Sequence, residues 1–307
     1  MSNRSRHNPA HMMMNVLKRE GKAHSSQIEW KEPDSTLHLV RICDAVDMLK
    51  SLPPSSIQLI IIDPPYNLEI ETWDKFDDYI GWAKQWLNEI PRVLADKGNA
   101  VIFGGVQFQS DYGGDLLDIM HYIRHSSLLI LINDIVWHYS TGMSAHRFFA
   151  SRHEQIVWYA KTNKYFFDLD AVREKFDQKT LNEYRKDKRL NPKSLEKGKN
   201  PTNVWHIERL SGNSKERVGH PTQKPTEVIR RIVRSMSYPG SVVLDFFAGS
   251  GVTTRVCIEE KRHSIISDID PTLNQYLEKH LHQIKDKKHQ FQILKEECIS
   301  KYLEKLP

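Results

Sequence analysis

An α/β fold, with a parallel-rich sheet and helices on both faces, is predicted by three features of this 307-residue chain. Residues 57–62, IQLIII, form an apolar, β-branched run of the length of a strand buried on both faces. Residues 37–42 and 45–52 ahead of it read as strand and helix, which completes a β-α-β unit. Residues 241–260, SVVLDFFAGSGVTTRVCIEE, read as strand, glycine loop and helix.

Taken in order, residues 1–33 are polar and rich in His and Met, an arm expected to be partly helical around 8–19. The helix at 45–52 places Val46, Leu49 and Leu52 on one face and is broken by Pro53 and Pro54. Residues 67–74 form a polar loop. Asp77 or Asp78 caps a helix with Ile80, Trp82, Trp86, Leu87, Ile90 and Leu94, which Gly98 ends. Residues 100–103 are a strand, 115–125 a helix, and 128–137 and 154–160 strands joined by a polar loop over 138–152. From 165 to 219 apolar periodicity fades and Lys, Arg, Asn and Asp become dense, the composition of an insert that contacts a ligand rather than supporting the core. Pattern returns with HPTQKP at 220–225. A helix capped by Thr226 follows, then the strand and glycine loop, a helix over 252–260, a strand over 264–267 and a long helix over 271–288. The tail ends in a further strand or helix.

Hydrophobic content of 39% and charged content of 27% predict a soluble globular chain. The longest aliphatic run, 128–132, is too short to span a bilayer, and the lack of an apolar leader argues against secretion. Cys43, Cys257 and Cys298 are scattered, which suits a reducing cytoplasm rather than a disulfide framework. No His clusters with Cys or carboxylates at ligand spacing, so no metal is implied. The net charge of +5 is a weak pointer to nucleic acid, sharpened by basic blocks in the first 24 residues and over 184–199.

Two stretches carry chemistry. In IIIDPPYN, residues 60–67, Asp63 leaves the sheet at its carboxyl edge, where open α/β sheets bind ligands. Pro64 and Pro65 stop the strand and stiffen the turn that presents Tyr66. An acceptor and a flat ring held together suit a planar polar substrate such as a nucleobase, although an ordinary strand end can look the same. In DFFAGSG, residues 245–251, the glycines let backbone approach a ligand at a helix N-terminus, and the next strand ends at Asp268, placed to accept ribose hydroxyls. No Lys follows Gly251 as a phosphate loop requires, and GxGxxG is absent. A loop opening on a carboxylate repels phosphate and suits a cation with a ribose, such as S-adenosylmethionine.

DPPY, HPTQKP and DFFAGSG, in that order with an insert between the first two, resemble the motif set of β-class DNA amino-methyltransferases. Stretches such as GMSAHRFFA, YFFDLDAVRE and ERVGHPTQKP closely resemble RsrI-type N6-adenine methyltransferases of type II restriction–modification systems. The resemblance implies the Rossmann-like S-adenosylmethionine-dependent methyltransferase fold, a seven-stranded mixed sheet with helices on both faces, in the circularly permuted β-class order. It divides the chain into a basic arm (1–36), a catalytic half (37–164), a target-recognition insert (165–219) and a cofactor-binding half (220–307).

It also implies roles. Asp63, Pro64, Pro65 and Tyr66 would be catalytic: Tyr66 stacks on a flipped adenine while Asp63 and the Pro64 carbonyl accept the N6 hydrogens. Asp245, Phe247, Ala248, Gly249, Ser250, Gly251 and Thr253 would contact S-adenosylmethionine, with Asp268 at the ribose, where Asp270 competes for the role. His220, Thr222 and Lys224 would border the methionine end, and Cys43 and Asp44 the cofactor adenine. Arg147, Arg152, Arg173, Arg185, Lys188, Arg189, Arg209 and Arg217 would contact DNA, arginine being the commonest reader of guanine and lysine suiting phosphates. Double-stranded DNA is the implied partner, with a restriction endonuclease as functional pair, no stable complex with it, no membrane, and monomer or homodimer both open. The implied setting is bacterial or archaeal cytoplasm. N4-cytosine enzymes share the motifs but usually carry Ser in place of Asp63, and a protein glutamine methyltransferase would carry Asn there. A non-catalytic DNA-binding relative is disfavoured by the intact motifs.

Overall fold

The computed structural model describes residues 28–68, 74–106, 114–142, 144–187, 189, 191–285, 288–296 and 298–306. The expected helix at 8–19, most of the basic arm and Lys188 lie outside them.

A single sheet runs in the order β6-β4-β5-β3-β2-β7-β8-β1-β9. Its strands are β1 (Ser35–Ile42), β2 (Ile57–Ile62), β3 (Leu94–Gly104), β4 (Ile130–His138), β5 (His153–Ala160), β6 (Val204–His206), β7 (Val242–Asp245), β8 (His263–Asp268) and β9 (Gln290–Lys295). The pairings are parallel except at β5, which runs against both β3 and β4. The sheet has nine strands where seven were expected, because β6 and β9 extend its two edges. Neither edge strand alternates strongly: β6 has three residues and β9 buries only Leu294.

The apolar run of β2 is explained by its two faces. Ile57, Ile60 and Ile62 pack with the helices Ala45–Ser51, Tyr79–Leu87 and Leu116–His125, whereas Leu59 and Ile61 pack with the helices Thr226–Met236 and Val252–Glu259. From Leu59 to Ile62 alternate side chains thus enter separate cores, while Ile57 lies before a shift in the pairing with β3. A third cluster joins Val40 and Ile266 to Leu273 and Leu277 of the helix Leu273–His282.

Several boundaries differ from expectation. The helix begun at Asp78 ends at Leu87, and a short helix Ile90–Val93 restarts with Pro91 in its first turn, where the missing N–H is tolerated. Leu94 and Gly98 therefore belong to β3. The helix Thr226–Met236 has no side-chain cap from Thr226; the Glu216 carboxylate instead accepts the Thr226 N–H at 2.6 Å. The tail holds both a strand, β9, and a helix, Ile299–Glu304.

The ends of segment 165–219 support the core, contrary to the expectation that it stands outside. Phe166, Trp205, Ile207 and Val218 are buried, and Trp137 donates its indole N–H to the Ile207 carbonyl at 2.7 Å. Its middle carries two short helices, Gln178–Tyr184 and Pro192–Lys197, whose one buried residue is Leu195. Among the described residues, no helix is long and apolar enough to cross a membrane.

Candidate active site

β2 and β7 are neighbours, so the two chemical stretches open side by side at the carboxyl edge of the sheet. They line one cleft of about 780 Å³ that also takes in Asp44, residues 220–224, Arg209, Arg217 and residues 268–270.

The DPPY turn is fastened from outside. Tyr79 donates its hydroxyl to the Pro65 carbonyl at 2.8 Å, and buried Asp74 accepts the N–H groups of Asn67 and Leu68 at 2.7 and 2.9 Å. The Tyr66 hydroxyl lies 2.9 Å from Asp63 Oδ1 and 3.2 Å from Glu154 Oε2. Lys224 reaches into the same group, its Nζ 2.9 Å from Asp63 Oδ1, 3.4 Å from Glu154 Oε2 and 3.2 Å from the Tyr66 hydroxyl. Burial alone lowers the basicity of Lys224, but the Asp63 and Glu154 carboxylates overcome this and hold its ammonium above the ordinary range. Burial, with the same two carboxylates, pushes the Tyr66 phenol well up, so it stays protonated.

The glycine loop supplies a different environment. Asp245, at the end of β7, is buried; Thr253 donates to its Oδ2 at 2.6 Å and the Phe247 N–H to its Oδ1 at 3.2 Å. Burial pushes its carboxyl up to about 7. Gly249 sits at φ +47°, and a Cβ there would lie 3.0 Å from the His220 ring. Its N–H donates to Asp268 Oδ2 at 2.8 Å, and Asp268 Oδ1 accepts the Asp270 N–H at 3.0 Å. Asp270 is occupied differently, accepting the Thr272 N–H at 2.8 Å ahead of the next helix. A small-residue cradle and a buried carboxylate that forms no salt bridge among the described residues suit a ligand bearing a positive charge and a ribose.

Most predicted cofactor residues meet here. His220, Thr222 and Lys224 line the cleft, as do Phe247, Ala248, Ser250 and Thr253. The Lys224 ammonium, however, is held by the DPPY side. Asp44 lines the cleft while capping the helix Ala45–Ser51 through the Val46 N–H at 2.7 Å. Cys43 does not line it; its N–H bonds the Asp268 carbonyl at 3.0 Å, and burial raises its thiol pKa. Gly251, at φ +77°, does not line the cleft, and a Cβ there would meet Leu273 and Leu277 at 3.3 and 3.4 Å.

The predicted arginines separate. Arg209 lines the cleft and stacks over the Tyr139 ring at 4.3 Å. Arg217 donates to the carbonyls of Leu210, His220 and Pro221 at 3.4, 3.1 and 3.2 Å, bracing the HPTQKP turn. Arg173 bonds Asp170, Asn200 and the Gly198 carbonyl, which ties it into the segment's own structure. Arg189 is paired with Asp187 at 2.7 Å. Arg147 and Arg185 are exposed and Arg152 is half-buried.

Glu154 and Tyr79 were missed by the sequence reading. A carboxylate near the start of the otherwise apolar strand HEQIVWYA was the available signal.

Comparison with known proteins decides the family. A model of the N6/N4 DNA methylases matches residues 57–279. The chain belongs to the N6/N4 DNA methylase family. It is 34% identical over 238 residues to the DNA adenine methyltransferase YhdJ of Escherichia coli, covering 74% of this chain and 76% of that one. It is 33% identical over 243 residues to the type II methyltransferase M.BglII of Bacillus subtilis, covering 78% and 67%. The type II methyltransferase M.ScaI of Streptomyces caespitosus is 31% identical over 230 residues, covering 72% and 74%. Two solved structures share the fold: the cytosine-N4-specific PvuII DNA methyltransferase, with a TM-score of 0.62, 19% identity and coverage of 84% and 90%, and the M1.HpyAVI complex with S-adenosylmethionine, with 0.55, 21%, 80% and 98%. This DNA methylase is therefore an S-adenosylmethionine-dependent enzyme with the methyltransferase fold anticipated from its motifs.

Proposed function

We propose that this methylase is a site-specific enzyme that modifies the N6 amino group of adenine in duplex DNA and so protects DNA from a cognate restriction endonuclease. The observation that carries the reading is a carboxylate, Asp63, at the head of a fixed PPY turn, lining the same cleft as the glycine loop. S-adenosylmethionine, when bound, supplies a methyl group activated on a sulfonium. Asp245, Gly249 and Asp268 would hold it, the Asp245 carboxylate facing its charge and Asp268 its ribose.

The target nitrogen is buried in the base stack, so the adenine must leave the duplex at a cost of roughly a few kcal/mol. Tyr66 would receive the flipped ring. Asp63 would accept one N6 hydrogen and the Pro64 carbonyl the other, drawing the nitrogen lone pair out of ring conjugation toward the methyl group. Catalysis is then positioning and electrostatics. Arg147, Arg152, Arg185 and Arg209 are the arginines best placed to meet DNA. Transfer of labelled methyl from S-adenosylmethionine to DNA, followed by nucleoside analysis, tests the reading; label on cytosine would favour N4 chemistry instead.

A further inference from the structure

We propose that Glu154 is the counter-charge of Lys224, and that by holding that ammonium it leaves the negative charge of Asp63 for the amino group being methylated. The inference rests on the amino-methylation reading above and assigns a positioning role to a residue outside the DPPY and glycine motifs.

Glu154 stands on β5, next to β3, with 18% of its side chain exposed. Its Oε2 is 3.4 Å from Lys224 Nζ and 3.2 Å from the Tyr66 hydroxyl. Lys224 is buried over the rings of Tyr66 and Phe103, at 5.1 and 5.4 Å, so water does little to screen it. The group therefore holds two carboxylates and one ammonium, a net charge of one negative.

That count matters for the chemistry. As N6 bonds to the methyl carbon, the bond from carbon to sulfur breaks with its electron pair staying on sulfur. The positive charge passes to N6, which then releases a proton through Asp63 to water. A lone Lys224–Asp63 pair would be neutral and would offer charge arriving at N6 no net stabilisation. With Glu154 present, the ammonium has a second carboxylate within 3.4 Å and the group keeps one net negative charge.

The Tyr66 hydroxyl makes the same argument. It has one hydrogen to donate, and it lies nearer to Asp63 Oδ1, at 2.9 Å, than to Glu154 Oε2, at 3.2 Å. This hydroxyl and Lys224 share Asp63 Oδ1, so an amino group that takes that oxygen would compete with both. Glu154 is a second acceptor already within reach of both, so each can turn to it when the amino group binds.

The test compares wild type, Glu154→Gln, and Glu154→Gln combined with Lys224→Met, using single-turnover methyl transfer to unmethylated genomic DNA and separate measurements of S-adenosylmethionine and DNA Kd. Glu154→Gln keeps shape and an acceptor but removes the charge, and its rate is expected to fall about 10–100-fold while both Kd values hold within about threefold. Removing both charges should restore part of that rate, which a purely structural role would not. A Glu154→Gln rate equal to wild type, a parallel loss of cofactor binding, or a double variant slower than Glu154→Gln would overturn the inference. Wild-type protein that leaves DNA unmethylated would instead overturn the reading beneath it.

Discussion

Gly249 donates its backbone N–H to Asp268 Oδ2 at 2.8 Å, which ties the loop after β7 to the end of β8. Asp268 and Asp270, the two acids that the sequence left as rivals, both line the cleft but differ in what they hold. Asp268 faces the glycine loop, whereas Asp270 holds the Thr272 N–H. Asp268→Ala is expected to weaken S-adenosylmethionine binding by roughly tenfold or more, the scale of a lost charged hydrogen bond. Asp270→Ala should lower thermal stability and change cofactor affinity less. Calorimetric titration and melting of both variants check the assignment.

Asp245 predicts a pH dependence. An aspartate in an unfolded chain releases its proton near pH 4 (about 3.9), whereas burial pushes Asp245 up to about 7. Across that window the native state holds the extra proton, so the Asp245 contribution lowers stability as pH rises from about 4 to 7, by at most about 4 kcal/mol. Asp245→Asn should therefore melt higher than wild type at pH 8, with the gap closing toward pH 5. On the proposed reading, a sulfonium beside the ionised carboxylate would reverse the preference for the proton. Cofactor binding should tighten as pH rises through about 7 and release protons, measurable by calorimetry in buffers of different ionisation enthalpy.

Gly249 has little room for a side chain. At φ +47° an added Cβ costs roughly 1–2 kcal/mol, and it would crowd the His220 ring at 3.0 Å. Gly249→Ala should lower Tm by a few degrees and weaken cofactor binding. Unchanged affinity for S-adenosylmethionine would remove this loop from the cofactor site.

The arginines proposed to meet DNA are distinct from those that brace the fold. Arg147→Ala should weaken DNA binding and reduce the slope of log K against log salt by about one, the signature of one lost phosphate contact. Arg217→Ala should act mainly on Tm and cofactor affinity, because Arg217 bonds the carbonyls of His220 and Pro221. Binding isotherms at several salt concentrations distinguish the two.

What the sequence disclosed follows from where the constraint is local. The run 57–62 is legible because both faces of β2 are buried, and Gly249 and Gly251 because positive φ selects glycine. β9 stayed undecided between strand and helix because most of its residues are exposed, and β6 escaped because three residues set no period. Glu154 escaped because its partners, Lys224 and Tyr66, come from distant segments and meet only in the folded sheet. For the same reason HPTQKP at 220–225 was legible as a motif, but not the direction in which Lys224 extends.

The most direct measurement is transfer of tritium from labelled S-adenosylmethionine to unmethylated duplex DNA, with the product digested and its nucleosides separated, for wild type and Asp63→Ala. Label in N6-methyladenine is expected for wild type. A loss of about 10²–10³-fold or more is expected for Asp63→Ala, with cofactor and DNA binding retained. Label on cytosine, no label at all, or comparable turnover by Asp63→Ala would contradict the account.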